Sequence, residues 1–440
     1  MKHVLLALVM TSFASLQVDA AQPMPLTANQ RVEGVSIIWQ QINRQFPIRD
    51  RINEFKSAVD LATQEVKGIE SSGEYYAALD RLVATLNDGH TFVLAPPGAA
   101  LKRSKPSVGV ELIESVPVVT WVRNDLARDI PLGSLVKAVD GDEPFKIAKE
   151  REPRVVASTA HRRQDISVSR IFEGQSGSLV KIDYLTPAGE RRIKVFERGD
   201  AWPDGTKLIF LQDIESKRLD FQMLDSGKVS YFSVRDFRDR SVYLSFLNNI
   251  AAIRSSSAII FDVRKNSGGN SNIGLEILSH FLTSPVKEGV TRKTSIRLAE
   301  EGGNTSNVGS EADAIRLVQL PQGEIKPRPE SERISIPIVV LTDHDTVSAA
   351  EDFVSVASAL GAKRVGEVTA GSTGEMARVA LPAGGTLYAL IKWDKAVTGE
   401  EFVGVGFQPH FPSSPTVSDL LAGRDTILAR GLEVAKSLAR

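Results

Sequence analysis

The stretch Val340-Leu341-Thr342-Asp343-His344-Asp345-Thr346-Val347-Ser348-Ala349-Ala350-Glu351 sets the architecture of this chain. The apolar run from Ile336 to Leu341 reads as a buried strand, a short polar turn follows, and Ser348 opens a run of helix formers from Ala349 to Leu360. A hydroxyl between a buried strand and a helix is held in place by the strand. The first free N–H groups of the helix favour negative charge beside it. Ser348 therefore reads in two ways, as a helix N-cap or as a reactive hydroxyl, and the rest of the chain has to separate them.

Working outward, strands and helices alternate from about residue 228. Lys228–Val234 and Ser257–Val263 read as strands, Val242–Ile253 and Ile273–Leu282 as helices, and Ser295–Leu298 as a further strand. The polar region Glu300–Arg333 reads as a loop carrying a helix at Glu311–Val318. Beyond the Ser348 helix, Arg364–Gly366, Met376–Leu381 and Thr386–Trp393 read as short strands. Such alternation predicts an α/β layer around a largely buried sheet. Towards the N-terminus, residues 28–98 read as a small helical domain of about three helices, closing in the turn Leu86-Asn87-Asp88-Gly89-His90-Thr91. Residues 105–200 read as a β domain with strands at Ser107–Leu112, Val118–Val122, Ser134–Val139, Ser178–Tyr184 and Arg191–Glu197. The basic clusters Arg151–Arg154 and His161-Arg162-Arg163 read as solvated faces. Residues 201–440 form the α/β core.

Composition narrows the chemistry. Lys+Arg 53 against Asp+Glu 54 gives no polycationic surface for nucleic acid. The absence of cysteine excludes disulfides, thiolate nucleophiles and Cys-based metal sites. None of the six histidines forms an H-x-x-x-H pair, which argues against a zinc protease. Residues 1–20 have the order of an export signal: Lys2 and His3, an apolar run Val4–Met10, then small residues up to Ala20. The expectation is a secreted protein, periplasmic if bacterial, with no stable membrane insertion after cleavage. The oligomeric state is open.

A second turn completes the pattern. Phe261-Asp262-Val263-Arg264-Lys265-Asn266-Ser267-Gly268-Gly269 ends a buried strand in a Gly-Gly turn whose N–H groups can face an anion. Neither G-x-x-x-x-G-K-[ST] nor G-x-G-x-x-G is present, so phosphate binding lacks its motif. Asp262-x-Arg264-x-Asn266-x-Gly268-Gly269, Thr346–Glu351, Gly366-Glu367-x-Thr369-x-Gly371 and Gly404–Pro409, in this order, resemble the tail-specific (C-terminal-processing) serine peptidases. The likeness runs from about residue 30 to 440. It implies an α/β core of the crotonase or ClpP kind with an N-terminal helical domain and an inserted PDZ-like domain. In that PDZ-like domain Val108, Gly109 and Val110 would bind a peptide, a glycine loop facing its terminal carboxylate.

By the same resemblance Ser348 is the nucleophile, and the N–H groups of Ala349 and of Gly268 or Gly269 form an oxyanion hole, each donor contributing on the order of 3 kcal/mol. One branch of the family takes its base from a lysine in a Thr-x-Gly-Lys-Gly stretch. Here Thr369-Ala370-Gly371-Ser372-Thr373 puts Ser372 at that position, and serine cannot serve as the amine. The tricorn-like branch takes a histidine from the helical-domain turn, which is His90, with Gly89 where tricorn has serine. That branch also uses a late glutamate. Val403 stands at its place, and Glu401, two residues earlier, keeps strand facing and is the candidate acid. His344 and His410 are rival bases. The expected activity is peptide-bond hydrolysis in polypeptides or their C-terminal tails, with no metal or organic cofactor. The alternatives are a non-catalytic peptide- or apolar-ligand-binding protein on the same fold, and a hydrolase of non-peptide esters.

Overall fold

Six strands make the central sheet, in the order Leu219–Leu224, Val229–Val234, Ala258–Asp262, Ile338–Thr342, Lys363–Gly366 and Phe411–Pro412. The first pairing is antiparallel and the rest are parallel. The structure is a computed structural model and describes residues 26–212, 217–287, 289–302, 315–321 and 323–439. The expected export signal, residues 1–20, lies outside the described residues.

Alternation along the inner strands gives the sheet two buried faces. Ile259, Phe261, Ile338 and Val340 pack against the helices Ser241–Asn248, Ser271–Leu278 and Ala349–Ala359. Ala258, Ile260, Val339 and Leu341 pack beneath Ile427, Val434 and Ala435 of the C-terminal helix Thr426–Leu438. The α/β expectation for this region therefore holds.

The Asp-x-Arg prefix of the glycine turn fixes the strand end. The fully buried Asp262 accepts from Arg264 Nε and Nη2 at 2.9 and 2.7 Å, from Arg235 Nη2 at 3.1 Å and from the Tyr231 hydroxyl at 2.7 Å. Arg264 also binds both oxygens of Asp425, the residue that caps the helix Thr426–Leu438. Burial works to raise the Asp262 pKa, but the two guanidiniums overcome it and hold the carboxyl far below the usual range. Deleting one partner of such a network leaves an uncompensated buried charge.

Three helices, Ala28–Gln45, Ile52–Glu65 and Ser72–Ala84, precede the turn that carries His90. Thr27 and Gln30 form a capping box at the start of the first. Ile38, Ile42, Phe46, Leu79 and Leu82 share one apolar cluster with Phe232 and Phe353 of the α/β layer, so the helices and the core bury each other.

The β unit has a core of its own, built from Val110, Val119, Val136, Phe172 and Tyr184 among others. Its strands Val108–Ile113, Val116–Arg123, Leu135–Val139, Leu179–Leu185 and Arg191–Glu197 pair antiparallel in chain order. The basic cluster His161-Arg162-Arg163 is not a solvated face. It belongs to the helix Ala160–Ser169, where Arg162 pairs with Asp345, Arg163 with Asn87, and His161 Nε2 with the Thr369 carbonyl at 2.9 Å.

Two further readings change. Ser295–Leu298 starts the helix Ser295–Glu301, because Thr294 Oγ1 caps it by accepting from Arg297 N. Leu317 and Val318 lie in the strand Leu317–Pro321, paired with Val290–Thr294, and not in a helix. Ile315 and Arg316 are not helical either, and residues 311–314 of that expected helix lie outside the described residues.

Candidate active site

Ser348 sits where the loop after Ile338–Thr342 enters the helix Ala349–Ala359, with φ 61° and ψ −126°. A positive φ is costly for a residue with a Cβ and persists only where neighbours enforce it. Here Ser348 N donates to Ser372 O at 2.8 Å and Val347 N to Asn266 O at 3.1 Å. Ser348 occupies the N-cap position, but its side chain makes no capping bond. Its Oγ instead lies 3.2 Å from His90 Nε2.

The turn after the third helix delivers His90. Arg51 Nη1 donates to the carbonyls of Leu86 and Asn87 at 2.7 and 2.6 Å, Asn87 takes φ 51°, and Gly89 N donates to Ser158 Oγ at 2.9 Å. His90 Nδ1 lies 2.7 Å from Ser372 Oγ. If Nε2 accepts the Ser348 proton, Nδ1 carries the ring hydrogen and donates it to Ser372. Burial pushes the imidazole pKa below its ordinary value, against the opposing pull of Asp88 and Asp394, so the neutral form is favoured.

Ser372 was legible only as a missing lysine. A Cβ on Gly89 would lie 2.5 Å from Ser372 Oγ, so the Ser372 hydroxyl fills the space a side chain at 89 would need. The loop that presents it is anchored by Glu351, which is completely buried one helical turn beyond Ser348. Glu351 accepts from Ser372 N at 2.7 Å, from Gly371 N at 2.9 Å and from the Thr369 hydroxyl. Burial raises its pKa to about 7, and those three donors work in the opposite direction. The Gly404–Pro409 segment backs the same loop, with Gly404 N donating to Gly371 O at 2.7 Å and Phe407 N to Thr369 Oγ1 at 2.8 Å.

The glycine turn faces Ser348. A Cβ on Gly268 would come within 2.6 Å of Ser348 Cβ. Asn266 shapes the turn, its Oδ1 accepting from Gly268 N and its Nδ2 donating to Val234 O, both at 2.9 Å. This corrects the expectation for Gly268, whose N–H is already used. The N–H groups of Gly269 and Ala349 make no hydrogen bond among the described residues.

Glu401 is not brought to His90. Its carboxylate binds Arg292 Nη2 at 2.8 Å and Lys395 Nζ at 3.3 Å. The facing rule that selected it presupposed a strand, and the backbone from Val397 to Gly406 is not one. His344 Nδ1 binds Asp165 Oδ2 at 2.6 Å, and His410 Nδ1 accepts from Arg364 N at 3.0 Å, so neither rival base is directed at Ser348.

The glycine loop expected at Val108, Gly109 and Val110 is instead part of the strand Val108–Ile113, which stands at the edge of its sheet. Gly109 lies within a strand and not in a loop, and Trp121 covers it so closely that a Cβ would fall 1.8 Å from the indole nitrogen. The nearby cavity of about 290 Å³ between the β unit and the core is lined by Glu111, Asp165, Asp343, Asp345 and Glu367. Lys265, Arg162 and His344 there are already ion-paired. Such a lining disfavours a terminal carboxylate.

A serine on a strained strand-to-helix turn, a buried histidine within reach of it and two open N–H groups, one in the glycine turn and one at the helix start, are the parts of a serine-type hydrolase. Residues 228–413 match the model of peptidase family S41, and with that match the protein is a serine-type peptidase whose substrates are polypeptides. That likeness extends over residues 228–413, within the α/β core. No curated protein sequence matches the chain. Among solved structures, mature CPAF superposes with a TM-score of 0.72 at 15% identity, covering 93% of this chain and 97% of that one. Mature CPAF complexed with lactacystin gives 0.73 at 14% identity, covering 93% and 98%. A structure from Parabacteroides merdae, described as that of a candidate peptidase, gives 0.50 at 16%, covering 93% and 97%. At these identities the likeness speaks for the fold. No helix among the described residues is long and apolar enough to cross a membrane.

Proposed function

We propose that this is an exported peptidase that hydrolyses polypeptides or their C-terminal tails with Ser348 as nucleophile and His90 as base. The observation that carries it is the 3.2 Å approach of His90 Nε2 to Ser348 Oγ while Nδ1 is held by Ser372. Ser348 Oγ attacks the scissile carbonyl carbon as its proton passes to His90 Nε2. The resulting oxyanion is received by the N–H groups of Gly269 and Ala349. Collapse breaks the C–N bond, His90 returns the proton to the leaving amine, and water repeats the sequence on the acyl-enzyme. Export rests on the order of charge, apolar run and small residues in residues 1–20.

A fluorophosphonate probe tests the assignment. The wild type labels at Ser348 and cleaves unfolded casein. Ser348→Ala loses both, and His90→Ala loses at least about 100-fold in turnover. Equal labelling of wild type and Ser348→Ala removes the nucleophile assignment, and full activity in His90→Ala removes the base.

A further inference from the structure

Beside Ser348 opens a cavity of about 370 Å³, lined by Gly269, Ser271, Asp352, Glu375, Lys392 and Asp394 among others. Ser348, at the N-cap, and Asp352, in the first turn of the helix Ala349–Ala359, both line it. Both cations of the lining are spoken for, since Lys392 Nζ is 3.0 Å from Asp394 Oδ2 and Lys395 Nζ is 3.3 Å from Glu401 Oε1. Glu375 sits near Lys293 and Arg297 at 3.7 and 3.8 Å.

Asp352 differs from these carboxylates. Its partners are two neutral hydroxyls, Ser271 Oγ donating to Oδ2 at 2.6 Å and Thr373 Oγ1 donating to Oδ1 at 2.9 Å. A carboxylate has about four lone-pair sites, so each oxygen of Asp352 retains one. That is the pattern a guanidinium or ammonium group can complete. The side chain is half-buried, and the nearest cation, Lys392, is bonded to Asp394, so Asp352 is only partly compensated; burial and the neighbouring Asp394 raise its pKa to about 6 against the opposing pull of Lys392 and the two hydroxyls. An incoming cation relieves that cost.

We infer that this cavity is the subsite for a residue flanking the scissile bond, that it takes an arginine or lysine side chain, and that Asp352 is the specificity-determining counter-ion. The inference rests on Ser348 as nucleophile and adds the substrate class. Ser271 follows the glycine turn and Thr373 follows Ser372, so a cation seated on Asp352 lies against the loops that hold the oxyanion donors and the base.

The test compares fluorogenic peptides that differ only in arginine or its neutral isostere citrulline at the residue donating the scissile carbonyl, with a second set varied on the amine side. Labelling by the fluorophosphonate, which carries no such side chain, is followed in parallel. In one of the two sets the wild type favours arginine over citrulline in kcat/KM by roughly 10–100-fold, the range of a charged hydrogen bond. Asp352→Asn, which keeps the shape and can still accept a hydroxyl, brings that ratio to about one. A wild-type ratio near one in both sets, with Ser348 still labelled, overturns this subsite and leaves the peptidase reading intact. A high ratio unchanged in Asp352→Asn overturns the role of Asp352. Loss of labelling at Ser348 in the wild type removes the peptidase reading itself. The wild-type comparison stands even if the variant misfolds.

Discussion

Ser372→Ala tests how the base is held. The substitution deletes only the hydroxyl that lies 2.7 Å from His90 Nδ1 and keeps the Cβ beside Gly89. In the proposed mechanism His90 becomes an imidazolium in the transition state, and Ser372 Oγ accepts its Nδ1–H. A hydrogen bond to a charged group contributes about 1.5–3 kcal/mol, so kcat should fall by roughly 10–150-fold with KM little changed, as for an interaction used mainly in the transition state. Loss of the acceptor also disfavours the imidazolium, so the acid limb of the kcat/KM profile should move to lower pH than in the wild type. A purely structural effect would not produce that shift. The assay is casein or peptide hydrolysis and second-order fluorophosphonate labelling across pH 5–8, with melting followed to confirm the fold. Activity within twofold of wild type at every pH would refute the reasoning. A loss well beyond about 150-fold would also count against it, because it would mean that Ser372 does more than orient the ring.

Two further outcomes follow from the same geometry. Burial holds His90 below its ordinary value of 6.5, and a general base works only when deprotonated, so wild-type kcat/KM should reach its plateau with an apparent pKa under 6.5; a midpoint above 7 contradicts this. Gly268→Ala places a methyl 2.6 Å from Ser348 Cβ at a φ of +87°, so activity should fall at least about 100-fold, since a nucleophile misplaced by about 1 Å loses that much; circular dichroism checks that the fold survives, and retained activity contradicts the packing.

Local periodicity made most of the architecture legible. The strand-turn-helix around Ser348, the three helices before His90 and the five strands of the β unit are each announced by runs of side chains with one period. The helix Ala160–Ser169 was not legible. Its buried residues are Ser167 and Val168, and it docks on the core through the half-buried His161, Arg162 and Arg163 reaching polar groups, which leaves little apolar stripe in the sequence. Gly109 misled for a similar reason. In a sequence a glycine signals a loop or a close approach, and only the fold shows that an indole makes the approach.

The support of the base was the hardest part to read because it is divided among residues far apart in the chain, none of them diagnostic alone. A search for one acid behind His90 leads to Glu401, which the fold commits to Arg292 and Lys395. The structure places a hydroxyl there instead, and that hydroxyl has a position only because Gly89 has no side chain and Glu351 fixes the backbone of Gly371 and Ser372. Each member depends on another. A side chain at 89 would displace Ser372, and a Glu351 unable to accept two N–H bonds would release the loop. In the proposed site the carboxylate behind His90 acts at one remove, through a peptide backbone. Glu351 sits on the helix that Ser348 precedes as N-cap, so the proposed nucleophile and the support of the proposed base are set by a single rigid element.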